Sequence, residues 1–314
     1  MELRHLRYFV AVAEELNFTR AAKRLGINQP PLSLQIRQLE KEMGTPLFLR
    51  RTRGVELTDV GKLLLEEARI ILKQIERAKT GVRRRARGET GRINVGSSGG
   101  TYFHPLIPRI IREYRMHYPN VVLFPQASNT AVLIAQLRAG QVDIAFVRAP
   151  IRDSDGLAFE LLVDEPTVMA LPTGHPLSRS AMAPLSAFAE ETFILYPREL
   201  NPAVYDSTLA AFIKAGFTPK LGQEAPQIVA TIPMVAAGLG VSVVPVSMAG
   251  ILPNAVVYLA TAGTTPPALI SLAHRRNDRS AAVQNFVADA RRIVRTAIEE
   301  KNSRVTGDAR SSRR

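Results

Sequence analysis

The chain has 314 residues, 46% hydrophobic and 22% charged, with a formal net charge of +13 and no cysteine. That length exceeds one small core and predicts two or three domains. The missing cysteine excludes disulfides, thiolate catalysis, thiol redox sensing and Cys-ligated zinc.

No apolar run approaches the ~20 residues that span a bilayer. The opening MELRHLRYFV carries charges where a secretory leader needs an apolar stretch. The expected location is the cytoplasm, with no membrane partner. Residues 1–92 hold 20 Lys and Arg against 11 Asp and Glu, residues 93–300 hold 16 of each, and residues 301–314 hold 5 against 1. A basic N-terminal third on a neutral body is the charge pattern of a protein that displaces counterions from nucleic-acid phosphates; a basic face kept for solubility is the alternative. The tail 301–314 is expected to be disordered.

In chain order, Leu3, Leu6, Phe9, Val10 and Ala13 share one helical face. A short helix follows from Thr19, its expected N-cap, to Leu25, with Gly26 as its stop. Asn28 can cap a third helix whose first turn holds Pro30 and Pro31. That helix runs to about Met43 and Gly44, with Leu32, Ile36, Leu39 and Met43 inward and Ser33, Leu34, Gln35, Arg37 and Gln38 on the other face. Two short helices joined by a Gly-containing turn make a helix-turn-helix, whose second helix enters a major groove. Residues 46–57 then predict two short strands around a basic turn. This wing presents Arg50, Arg51 and Arg53 to phosphate or the minor groove, with Phe48 and Leu49 in the core.

Thr58 caps a long helix. Leu57, Gly61, Leu64, Ala68, Ile71, Ile75, Ala78 and Val82 recur at alternating spacings of four and three, a heptad seam. It predicts a partner helix, with packing on the chain's own domain as the alternative. The arginines at 83, 84, 85 and 87, followed by Gly88, mark the helix end and a hinge. The expected domains are therefore a winged helix-turn-helix over 1–57, a dimerising linker helix over 58–90 and an α/β domain over 91–300.

The segment from Met1 to Ala68 resembles the N-terminus of LysR-type transcriptional regulators. The matching residues are Phe18-Thr19-Arg20-Ala21-Ala22, Leu25, Gln29-Pro30-Pro31-Leu32-Ser33, Gln35-Ile36, Leu39-Glu40, Leu47-Phe48, Arg50-Arg51 and Leu57-Thr58 with Gly61. Pro108-Arg109-Ile110-Ile111, Leu195-Tyr196-Pro197 and Val235-Ala236-Ala237-Gly238 extend the likeness, closest to the subgroup that answers to muconate-type or benzoate-type effectors of aromatic catabolism. The resemblance implies promoter DNA as partner, a homodimer that pairs into a homotetramer, RNA polymerase as a further partner, and no cofactor. Base or groove-edge contact falls to Gln29, Pro30, Pro31, Ser33, Leu34 and Arg37. Leu34 stands where relatives often carry Arg or Lys, and a leucine there meets a thymine methyl instead.

From Gly91 the pattern alternates short apolar strands with helices: Ile93–Gly96, a helix over 103–117, Val121–Phe124, a helix from Ser128–Thr130 to Gly140, and Val142–Val147. That predicts parallel pairing with crossover helices. A second lobe spans 165–267, and the chain returns through Ile270–Ala273 and the helix 281–298, so lobe I comprises 91–164 and 268–300. Two crossings resemble the bilobal periplasmic-binding-protein fold that the family uses to sense small molecules. Helix N-termini favour anions. Ser98, Gly100 and Thr101 at one helix start, Asn129 and Thr130 at another, and Arg148 at a strand end are the candidate effector contacts; each of the polar groups could equally cap a helix or fill an ion pair. The resemblance adds Pro202, Val204, Gln227 and Ile228 from lobe II. The turn 97–104 is one residue longer than in muconate-responsive relatives, so Gly100 and Thr101 both stand as candidates.

An enzyme reading finds no support. The GSSGG stretch lacks the Lys-Ser/Thr ending of a phosphate loop and the dinucleotide spacing, and there is no GxSxG elbow. The five histidines are scattered without metal spacing, so no metal is expected; only His104 falls near the expected cleft. A transport binding protein would not carry the basic helix-turn-helix, and an architectural DNA protein would not carry some 220 neutral residues behind it.

Overall fold

Apolar residues at helical spacing build three helices, α1 (Leu3–Glu15), α2 (Phe18–Leu25) and α3 (Gln29–Met43). They belong to the first of two units, Met1–Arg84 and Arg85–Arg314, of a computed structural model that describes residues 1–51, 54–151, 154–263, 265–266 and 268–311. Leu6, Phe9, Val12, Leu32, Ile36, Leu39 and Leu47 form the core. Leu3 and Met43, expected inward, lie at the helix ends and are exposed. The cap of α2 is Asn17, not Thr19: its Oδ1 accepts from the backbone N–H groups of Thr19 and Arg20 at 2.9 and 3.0 Å. An Asx side chain one residue before the first helical turn reaches those free donors more directly than a threonine inside it.

Strands β1 (Phe48–Arg51) and β2 (Gly54–Leu57) pair antiparallel as the wing. Phe48 is buried, but Leu49 alternates to the solvent face. Glu40 on α3 accepts from the N–H groups of Leu47 and Phe48 at 2.8 and 3.2 Å, so α3 holds the start of the wing. Helix α4 (Asp59–Ala86) begins at Thr58, whose hydroxyl accepts from Gly61 N–H at 2.9 Å and donates to Pro46 O at 2.9 Å. Gly61 is required by close approach: a Cβ there would stand 2.2 Å from Leu47 O.

The expected seam of α4 divides. Gly61 and Ala68 are buried and Leu57, Leu64 and Ile71 pack on the core of their own unit. The first turns of the helix therefore serve the winged domain, because three short helices and a hairpin do not enclose their core without them. Ala78 and Val82 are exposed, as is a second stripe of Val60, Leu63 and Ile70.

The second unit continues with β3 (Thr90–Ser97), α5 (Leu106–His117), β4 (Asn120–Ala127), α6 (Thr130–Arg138), β5 (Ile144–Ala149), β6 (Leu157–Glu165), β7 (Thr167–Pro172), β8 (Met182–Pro184), β9 (Thr192–Phe193), α7 (Pro202–Lys214), β10 (Lys220–Leu221), α8 (Thr231–Ala236), β11 (Ser242–Pro245), β12 (Val256–Ala262), β13 (Ala268–Arg275) and α9 (Ala281–Ser311). A five-stranded sheet ordered β4-β3-β5-β13-β6 makes lobe I, and a four-stranded sheet ordered β11-β7-β12-β8 makes lobe II. The chain leaves lobe I between Glu165 and Thr167 and returns between Ala262 and Ala268.

β3 pairs parallel with β4 and β5, as the strand–helix alternation predicts, whereas β13 runs antiparallel to both β5 and β6. The difference follows from the crossings: β6 leaves the sheet and β13 re-enters it, so the two must run in opposite directions.

Tyr114 donates to Ala282 O at 3.0 Å and packs on Phe286, fixing α5 to α9. Helix α9 extends to Ser311, beyond the point where a disordered tail was expected at 301, and residues 312–314 lie outside the described residues. Glu300, bonded to Arg109 at 2.9 and 3.1 Å, ties the helix down just before that point.

Candidate functional site

In the first unit, α3 presents Gln29, Pro30, Pro31, Leu34 and Arg37 to solvent, with Ser33 half-buried. Leu34 is 53% exposed, an apolar side chain on a polar helix face that no part of its own unit covers. Gln29 Nε2 donates to Ser33 Oγ at 2.8 Å, so these two polar groups form one patch. Gln35 turns away from it: its Oε1 meets His5 Nε2 at 2.9 Å, joining α3 to α1. On the wing, Arg50 and Arg51 are exposed, and Arg51 pairs with Glu56 at 3.2 Å. Arg53 lies outside the described residues. A helix face, its N-terminal turn and a basic hairpin in one unit can meet base edges and phosphates of a duplex.

In the second unit, a cavity of about 260 Å³ lies between the lobes. Lobe I contributes the start of α6 and the end of β5, and lobe II contributes the start of α7, residues 226–228 and Thr231. Asn129 caps α6 by accepting from Val132 N–H at 2.9 Å, and Asn201 caps α7 by accepting from Val204 N–H at 3.3 Å. Two helix N-termini therefore converge on one cavity, each a region of positive potential.

Among the residues named from sequence, Asn129, Thr130, Arg148, Val204, Gln227 and Ile228 line this cavity. Ser98, Gly100 and Thr101 do not; Gly99 takes their place. Their hydroxyls are used inside lobe I: Thr101 Oγ1 meets Ser97 Oγ at 2.8 Å, and Ser98 Oγ accepts from Thr130 Oγ1 and from Arg148 N–H at 3.0 and 3.2 Å. At Gly100, with φ +68°, a Cβ would come within 2.4 Å of the Met248 side chain of lobe II, so this turn packs closely against lobe II. Pro202 lies on a neighbouring cavity of about 270 Å³. His104 lines neither cavity: its Nδ1 accepts from Leu106 N–H at 3.3 Å at the start of α5.

Arg148 is buried and paired with Glu165 at 3.0 Å across neighbouring ends of lobe I. Glu165 also accepts from Ser247 N–H and Oγ of lobe II at 2.9 and 3.0 Å. Burial pushes the Arg148 pKa down and Glu165 opposes that shift. The Nε and Nη2 groups of Arg148 have no hydrogen-bond partner among the described residues. Each unsatisfied buried donor costs on the order of 1–3 kcal/mol, more when charged. Burial raises the pKa of Tyr196, which lines the cavity and stays a neutral phenol.

Sequence reasoning did not single out Asn201, Glu165, Thr167 or Ser242. Asn201 had a local signal, an asparagine directly before a proline that opens a helix. Glu165 had none, because its partner Ser247 lies 82 residues away.

A winged helix-turn-helix with a basic hairpin, followed by a two-lobed domain with a cavity between its lobes, defines a ligand-responsive DNA-binding regulator. Residues 3–62 match the bacterial regulatory helix-turn-helix family of the lysR type, and residues 86–294 match the LysR substrate binding domain. The chain is 40% identical to the HTH-type transcriptional regulator BudR of Raoultella terrigena over 91% of this chain and 99% of that protein. It is 37% identical to the HTH-type transcriptional regulator CatR of Pseudomonas putida over 90% of this chain and 96% of that one. The crystal structure of CbnR, a LysR family transcriptional regulator, superposes with a TM-score of 0.81 at 29% identity, covering 92% of this chain and 100% of CbnR. The chain belongs to the LysR family of transcriptional regulators; it is a DNA-binding regulator with an effector-binding domain, not an enzyme.

Proposed function

We propose that this regulator binds promoter DNA in the cytoplasm as a dimer that pairs into a tetramer, and that a small carboxylate in the interlobe cavity, of the kind met in aromatic catabolism, modulates that binding. The observation that carries the effector class is Arg148, a buried guanidinium whose Nε and Nη2 are unpartnered among the described residues, beside two converging helix N-termini. A carboxylate could take up the bidentate geometry that Glu165 uses only in part. Asn129, Thr130, Val204, Gln227 and Ile228 form the remaining walls. The exposed stripe Val60, Leu63 and Ile70 on α4 supports self-association, since Leu63 and Ile70 lie one heptad apart. RNA polymerase is a further partner at the promoter. By linkage, the effector shifts DNA binding only by its differential affinity for the two arrangements of the regulator.

The test is a thermal-shift screen of the full chain against muconates, benzoates and short aliphatic carboxylates. A ligand at 100 times its Kd stabilises by about 2.7 kcal/mol. A hit lost in Thr130→Ala supports the carboxylate reading, and no hit across the panel rejects it. For the DNA surface, Arg50→Ala should lower the salt slope of binding by about one for every duplex sequence. Leu34→Ala should instead change the preference between operators, and a uniform loss would remove Leu34 from base contact.

A further inference from the structure

We propose that Asn201 is a positioning residue that clasps the two lobes across the effector cavity, an inference that rests on reading that cavity as the effector site. Asn201 belongs to lobe II and is only 7% exposed. Both ends of its amide are in use. Oδ1 accepts from Val204 N–H at 3.3 Å and caps α7. Nδ2 donates to Arg148 O at 2.8 Å, at the end of β5 in lobe I, and approaches Thr130 Oγ1 at 3.5 Å. Thr130 in turn donates to Ser98, which also accepts from Arg148 N–H. One side chain of lobe II therefore fixes the position of Thr130 and Arg148 relative to the start of α7.

The clasp joins lobes at a point remote in sequence from both crossings. It stands between two cavities of about 260 and 270 Å³, each lined by Thr130 and Asn201. Opening it would join the two cavities.

The amide is the chemistry such a clasp needs. Aspartate or serine in this place would still cap α7, but neither offers a donor that reaches Arg148 O while its acceptor holds the helix. Aspartate would set a charged oxygen against that carbonyl, while gaining stability from the positive end of α7. The two variants thus keep the structural role and remove the cross-lobe one.

The chain contains no cysteine, so spin labels can be placed at will. Ala135→Cys on α6 and Ala210→Cys on α7 are exposed sites, one on each lobe. The labelled full chain is co-expressed with an excess of the cysteine-free chain, so that distances within one chain dominate. Pulsed dipolar distance measurements without ligand should show one dominant separation. Asn201→Asp and Asn201→Ser should each shift the ratio of clasped to open separations at least tenfold toward open, the loss expected for one buried hydrogen bond with a mismatched partner. Melting followed by circular dichroism confirms that each variant is folded. If either folded variant keeps the wild-type distribution, the clasp is overturned. No ligand enters this measurement, so a failed carboxylate screen would overturn the effector reading without touching it.

Discussion

The two units satisfy their polar groups differently. In the winged domain the partners are close in sequence: Asn17 caps Thr19 and Arg20, and Thr58 caps Gly61. Its longer links, Gln35 to His5 across 30 residues and Glu40 to Leu47 across 7, stay within the one helical body. In the effector domain buried polar groups also pair between the two lobes. Asn201 of lobe II reaches Arg148 of lobe I across 53 residues, and Ser247 of lobe II reaches Glu165 of lobe I across 82. A locally satisfied unit presents a fixed surface to DNA. A unit whose polar bonds run between lobes can exchange those bonds when a ligand arrives, which is what a sensor requires.

The sharpest way to break that contrast is Glu165→Ala. It leaves the Arg148 guanidinium buried without its carboxylate, and loss of one partner of a buried pair costs about 3–5 kcal/mol. Calorimetry should show the effector-domain transition fall while low-temperature DNA binding persists; loss of both together would mean that the units are not separable. Gly61→Ala is the counterpart in the winged domain. The new Cβ meets Leu47 O, and overpacking of this kind costs about 1–3 kcal/mol. DNA binding should weaken while ligand-induced stabilisation of the effector domain is kept. Asn17→Ala should cost about 1 kcal/mol of winged-domain stability through loss of the α2 cap, measured by denaturant midpoint, and no change would mean that another group caps the helix.

The smallest effect concerns His104. Burial holds its pKa below the ordinary value of 6.5, and its Nδ1 must stay unprotonated to accept from Leu106 N–H. As pH falls below 6.5 the unfolded chain takes up a proton that the native ring refuses. This contribution to stability is present above that value and is lost as pH drops toward the native pKa. Thermal midpoints of wild type should fall faster than those of His104→Ser over that range; parallel curves would show that His104 does not titrate differently on folding.

Much of the winged domain was legible because its determinants are local. Helical spacing located α1 and α3, Gly26 and Gly44 marked the helix ends, and the basic turn marked the wing. The misassigned residues there, Thr19, Leu3, Met43 and Leu49, all sit at element ends, where one residue of shift changes the face a side chain occupies. The α4 seam was visible as a heptad pattern, but periodicity does not name the surface that buries it, and its own domain took the first half. In the effector domain the lobe crossings were readable from strand and helix order. The cavity wall was readable only in part: Asn129, Thr130 and Arg148 announced themselves at element ends, while Ser98 and Thr101 carry the same chemistry and turn inward.

The sequence by itself determined the class of this protein. Charge distribution, helix-turn-helix spacing and alternating α/β elements are properties of short windows, and short-range sterics and hydrophobic periodicity fix them. Tertiary structure alone decided which polar groups face the cavity, that Glu165 rather than solvent neutralises Arg148, and that Asn201 bridges the lobes. Each of those outcomes depends on where a distant segment of chain arrives, and a hydrogen bond between residues 53 or 82 positions apart leaves no periodic mark on the sequence that makes it.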